Sequence, residues 1–196
     1  LVRKKEYDKA IAFYDTAIDI YINNNNFVRY VRTLNSRAQA KIRQQKFSEA
    51  EKDLIKANEI GEEIHCTRDL CVVIGNFGFL YHGKNDDEGY VYYAKKMIDL
   101  SMDMNELFSF VVANENYYMY EHENGKCSLD VIVMIMLLYK RIGFKSKVDE
   151  MYAYVRDFND NSIGLIIRDV DRLINIIEFR DLRKVSKLIK ELASCT

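Results

Sequence analysis

The chain is 196 residues long, with 29 Lys and Arg against 30 Asp and Glu, and no proline. So even a charge balance lacks the basic excess that a duplex-binding surface needs, and this segment is not expected to hold nucleic acid by itself. A hydrophobic share of 48% fills a core at this length and excludes a disordered tail. Proline breaks helix interiors, so its absence suits long helices joined by short polar turns.

Apolar periodicity and the Gly, Asn and Asp breaks predict ten helices in chain order. The first, over roughly residues 4–22, places Tyr7, Ala10, Tyr14 and Ala17 on one stripe and ends in the run INNNNF. The second, over about 27–45, is FVRYVRTLNSRAQAKIR and carries no acidic residue. The third, about 47–63, repeats the stripe of the first as Phe47, Ala50, Leu54 and Ala57. Ala10 and Ala50 stand forty residues apart, so the unit is a helical hairpin repeated along the chain. In the fourth helix, about 67–84, Gly78 takes the small position of Ala38, and Tyr81 follows three later. The fifth, about 87–103, has Gly89 and Tyr93 in frame and Lys96 where an alanine belongs.

The remaining helices run over roughly 105–123, 128–142, 144–158, 162–178 and 181–194. Their pairing stays open. Either 128–142 pairs with 144–158, or 105–123 pairs with 128–142 and residues 181–196 form a capping helix. Val131 to Tyr139 is apolar all round, which places that helix in the middle of the stack. It is far shorter than the ~20 residues that cross a bilayer, so no membrane partner is expected.

The paired stripes resemble the second helix of a tetratricopeptide repeat. Units of about forty residues with long second helices are similar to the bacterial peptide-pheromone receptors of the Rap/Rgg/PlcR group. The resemblance implies an all-α fold, a right-handed superhelix of antiparallel helical hairpins (a TPR-like α-solenoid), as a single domain over residues 1–196. It further implies a groove lined by the first helix of each hairpin, which binds a short peptide or protein segment. The chain opens at Leu1 in the second half of a repeat, which reads as the C-terminal part of a longer protein. Asn23 and Gly61 stand where that pattern usually has a closing proline.

On the second helix, Arg29, Arg32, Asn35, Ser36, Gln39 and Arg43 fall within one stripe, with Val31, Leu34, Ala38 and Ile42 toward the packed side. The groove positions of the pattern are Arg32, Asn35, Gln39 and Arg43. Amides pair with both N–H and C=O of an extended backbone, and Arg forks onto a carboxylate. The corresponding face of the fourth helix gives Val72, Asn76, Phe79 and His82; that of the sixth gives Phe108, Glu115, Tyr118 and His122. Adaptors that clamp acidic chaperone tails carry Lys or Arg at the positions of Asn35, Gly75 and Phe79, which argues against that ligand. The implied function is the ligand-sensing part of a bacterial helix-turn-helix regulator, where peptide binding alters a homodimer and DNA is held by an N-terminal domain. The alternative is a constitutive protein–protein adaptor without a switch.

Neither reading is an enzyme, and no cofactor is expected: no phosphate-cradling loop, GxSxG or HExxH is present. In HCTRDLC the two thiols, Cys66 and Cys71, lie about 140° apart around a helix, the wrong geometry for one ion. The segment DFNDNSIGLIIR begins like a calcium loop at Asp157, Asn159 and Asn161. Ser162 then replaces the turn glycine, and Arg168 stands where a bidentate Glu belongs. No metal is expected. The four cysteines show no framework spacing, which suits a reduced, cytoplasmic chain.

Overall fold

The computed structural model describes residues 2–158, 163–176 and 181–194. Among these every regular element is helical and none is a strand. The chain divides into two compact units, Leu1–Leu100 and Ser101–Thr196.

The first unit is built on a constant beat. After α1 (Val2–Asn23), the helices α2 (Phe27–Arg43), α3 (Phe47–Glu63), α4 (Thr67–Gly83) and α5 (Asp87–Asp103) are each 17 residues long. Three residues reverse the chain each time. The middle one is left-handed: Asn25 at φ 53°, Gln45 at 61°, His65 at 55° and Asn85 at 58°. Its N–H and the next one reach back to two of the last carbonyls of the helix, as Gln45 N does to Ile42 O at 2.8 Å and Lys46 N to Lys41 O at 2.9 Å. These are Schellman bonds, which close the helix end without glycine. The third turn residue then starts the next helix, and Asn26 and Asp86 also cap it, accepting from Arg29 N at 3.2 Å and Gly89 N at 2.8 Å.

Helix α1 lies against α2, α2 against α3 and α3 against α4, α2 also packs directly on α4, and α4 meets α5 where Phe77 stacks on Tyr93. The small stripe residues make this possible: Ala38, Ala50 and Ala57 are fully buried, with the larger Leu54, Val31 and Leu34 packed beside them. The strict period corrects the reading of the fifth helix. Forty residues beyond Ala50, Leu54 and Ala57 stand Tyr90, Ala94 and Met97, and all three are buried, while Lys96 is exposed. The frame sits one residue later than Gly89 and Tyr93 because the turn length never changes.

The tightest approach likewise falls at Gly89. A Cβ there would overlap the Tyr81 ring, which cannot retreat because it stacks on Tyr93 at 5.3 Å and donates to Glu51 at 3.0 Å. At Gly78 the added atom would meet Tyr90 at 3.9 Å and Tyr93 at 4.0 Å, ordinary contact. Gly89→Ala is therefore expected to destabilise by about 1–3 kcal/mol. Gly78→Ala should gain as much as ~1 kcal/mol of helix propensity. Urea unfolding of both variants checks this; equal effects would contradict the packing described.

In the second unit the beat persists through α6 (Leu107–Glu123) and then changes. Gly125, at φ 68°, and Lys126 close α6 with the same pair of bonds, but two further residues, Cys127 and Ser128, delay the start of α7 (Leu129–Arg141). Helices α8 (Lys145–Phe158), α9 (Ile163–Ile176) and α10 (Leu182–Ala193) follow. Helix α7 packs against α6, α8, α9 and α10 together. Every residue from Val131 to Tyr139 is buried, so the helix is central, as its unbroken apolar run predicts. Neither of the two pairings left open by the sequence describes it alone.

Candidate functional site

The α2/α4 face is held by two polar ties. Arg32 Nε donates to Asp69 Oδ1 at 2.8 Å, and Asn76 Nδ2 donates to Asn35 Oδ1 at 2.8 Å. Their partners lie 37 and 41 residues apart, straddling one repeat, as contacts between equivalent first helices must. Between the ties runs an open cleft of about 220 Å³ lined by Arg32, Asn35, Ser36, Asp69 and Val72. Enclosed sites for small ligands are larger, roughly 300–1,000 Å³. This cleft suits a side chain of a longer segment.

The residues expected to form one row divide into groups. Arg32 and Asn35 meet in the cleft, while Asn76 is only 4% exposed and ties α4 to Asn35 where a ligand contact was expected. Arg32 remains 61% exposed along its side chain, with its pKa raised by the hydrogen bond and charge of Asp69. Gln39 and Arg43 are exposed on α2 but lie toward α1, around a second cavity of about 280 Å³ with Tyr7, Ala10 and Tyr14. On α4, Val72 and Phe79 are exposed at 49% and 46%. His82 is exposed and leans on Tyr90 of α5, ring centres 5.3 Å apart.

The second unit holds Glu115 and Tyr118, and both are engaged within it. Tyr118 is 6% exposed, and burial with the neighbouring Tyr117 pushes its phenol up to about 12. Glu115 accepts from the Tyr139 hydroxyl and from Lys147 Nζ at 2.8 Å, so its carboxylate ties α6 to α7 and α8. Tyr139 is driven well above its ordinary range, first by burial and then by Glu115. A face drawn on one helix cannot reveal that the neighbouring helices supply its partners.

A polar cluster that joins three helices carries no sequence motif. Arg37 forks onto Asp53, with Nη2 to Oδ1 at 2.6 Å and Nε to Oδ2 at 2.9 Å, and its Nη1 reaches Asp15 at 2.6 Å. Lys41 Nζ adds a third bond to Asp53 at 2.9 Å. Asp53 is 5% exposed. Helices α1, α2 and α3 are joined at this point. On the other side of α3, Lys84 and Tyr81 both bond Glu51, and Lys84 first of all holds that carboxyl below its usual range.

Among the described residues no group of His, Cys, Asp and Glu has a metal-binding arrangement. Cys66 starts α4 at the turn and Cys71 is buried within that helix. Of the calcium-loop candidates, Asn159, Asn161 and Ser162 lie outside the described residues. No described helix is long and apolar enough to cross a membrane. No protein-family model, no curated protein and no solved structure matches this chain.

The two kinds of tie should differ in strength. Asp53→Ala strips three bonds from the buried Lys41 and the half-buried Arg37, which keep Glu49 at 3.7 Å and Asp15 at 2.6 Å, and is expected to cost about 3 kcal/mol, the low end for a broken buried pair. Asp69→Ala breaks an ion pair open to solvent on the Arg32 side and should cost about 0–1 kcal/mol. Thermal and urea unfolding of the two variants distinguish them; comparable losses would mean that the buried cluster contributes nothing special.

Proposed function

We propose that this is a polypeptide-binding helical-repeat domain, with an extended segment lying along the α2/α4 face. One observation carries the reading. Val72 lines an open cleft with Arg32, Asn35 and Asp69, and Phe79 stands exposed about two helical turns further along α4, so apolar anchors and polar groups follow one line of the helix surface. Side chains of a bound segment would bury against Val72 and Phe79. Its backbone would meet Asn35, and a segment that continues over α2 toward α1 would bring an amide to Gln39 and a carboxylate to Arg43, which line the neighbouring cavity. The ties at Asn76 fix the floor before a ligand arrives, which lowers the ordering cost of binding.

The resemblance to peptide-pheromone receptors extends this proposal to the sensing part of a bacterial helix-turn-helix regulator. A switch of that kind changes how α2 crosses α4, and Arg32–Asp69 and Asn35–Asn76 are the contacts that would have to yield. The second reading, an adaptor with no switch, is favoured by the same two ties if they persist with ligand bound.

Fluorescence anisotropy against a random nonapeptide library supplies binders for the test. Phe79→Asp is expected to weaken them about tenfold and Gln39→Ala by about 1 kcal/mol. Arg43→Ala should weaken acidic peptides in a manner that fades as salt rises. Lys187→Ala, on α10, should change nothing. Unaltered affinity in all four variants would place binding elsewhere. Small-angle scattering with and without peptide separates the two roles: a changed profile supports the sensor, an unchanged one the adaptor.

A further inference from the structure

The Arg37–Asp53–Lys41 cluster has a counterpart one repeat on, and the counterpart is open. Forty residues beyond Asp15, Arg37, Lys41 and Asp53 stand Ile55, Phe77, Tyr81 and Tyr93. Four charged side chains are thus replaced by one aliphatic and three aromatic ones. In the first set Arg37 spans the gap, bonding Asp15 of α1 and Asp53 of α3. In the second, Phe77 stacks on Tyr93 of α5 with ring centres 4.8 Å apart, and Tyr81 does so at 5.3 Å. Ile55 of α3 stays 47% exposed.

Between them lies a cavity of about 220 Å³, and all four replacements line it. Ile74 and Phe77, 2% and 5% exposed, form its floor on α4. Ile55 stands on the α3 wall and Tyr93 on the α5 wall. Glu51 marks one end, where Tyr81 and Lys84 already bond it, so no carboxylate there is left to recruit a further cation. The three helices are consecutive and interior to the chain. At 100° per residue, Ile74, Phe77 and Tyr81 lie about 170° around α4 from Val72, Asn76 and Phe79, so this cavity and the proposed peptide strip occupy opposite faces.

We propose that the cavity seats one flat aromatic ring, the size of an indole or smaller, between Ile55 and Tyr93. The ring takes the place that the Arg37 guanidinium fills in the preceding repeat. A guanidinium would find neither of its carboxylates, since Asp15 and Asp53 are matched by Ile55 and Tyr93. A ring instead continues the Phe77–Tyr93 stack and covers Ile55. Aromatic contact of that kind favours it over an aliphatic group of equal bulk. The volume falls below that of enclosed small-molecule sites, which limits the occupant to a single ring system.

The chain contains no tryptophan, so an indole probe can be excited alone. N-acetyltryptophanamide and the peptide Gly-Gly-Trp-Gly-Gly are titrated by fluorescence against the 196-residue chain, and a saturable blue shift is expected. As competitors, N-acetylphenylalaninamide should displace the probe about fivefold better than its cyclohexyl analogue. Ile55→Asp gives the cavity the residue of its counterpart at an exposed position, and should weaken the probe at least about tenfold. Tyr93→Leu should erase the preference for phenyl over cyclohexyl. Phe79→Asp, on the opposite face of α4, should change nothing, so this seat and the peptide strip fail separately. At least about tenfold tighter binding of the peptide assigns the ring to a polypeptide side chain, and equal affinity to a free aromatic compound; both sustain the seat. The proposal is overturned by the absence of a saturable shift, or by a cyclohexyl group that competes as well as phenyl. Weakening by Phe79→Asp, or none by Ile55→Asp, overturns it equally.

Discussion

The three-residue reversal with a left-handed middle residue governs this molecule. It fixes the helices at 17 residues and the repeat at forty, so equivalent side chains return to equivalent places. Its chemistry is economical. Two backbone N–H groups close one helix, and the residue that carries the second of them opens the next. Asn tolerates the left-handed conformation at three of the turns, but Gln45 and His65 bear its steric cost. Elsewhere in the chain, stability must offset that strain, and the unbroken small-residue stripe of α2 and α3 is where dense packing does so.

Polar groups between the helices fall into two kinds that sequence alone does not separate. The Arg37–Asp53–Lys41 cluster is enclosed, and its value lies in fixing register, since a helix displaced by one residue would strand its charges. The Arg32–Asp69 pair sits at the lip of an open cleft, where water screens it. Only the second kind is available to change partners. The exposed apolar residues show the same division: Phe79 stands on a face with polar company, while Phe13 stands on a face whose copy one repeat away is covered.

Much of the fold was legible because the repeat wrote it twice. The bounds Phe47–Glu63 and Asp87–Asp103 agree with the apolar periodicity to the residue. Helix α2 ends at Arg43 and not at residue 45, because Gln44 and Gln45, good helix formers, serve in the turn. The start near residue 105 slips to Leu107 for the same reason, with Asn105 left-handed and Glu106 capping Ser109 N at 2.7 Å. The site was less legible. A helical face drawn from one segment identified Arg32 and Asn35 as outward-pointing, yet could not show that Asp69 and Asn76 of another helix would meet them. Glu115 was lost in the same way to Tyr139 and Lys147, which come from helices whose pairing the pattern left open.

The fixed beat also dictates how such a chain can change in length. One residue inserted within a helix turns every later side chain by about 100°, so stripe, clasp and exposed face would all exchange places. One inserted in the turn would part the two backbone bonds that close the helix from the residue that opens the next. Forty inserted residues disturb neither. Variation in length is therefore quantised: the first unit tolerates whole hairpins and resists single residues. Irregular steps belong where the three-residue rule lapses, in the second unit at Cys127 and Ser128 before α7.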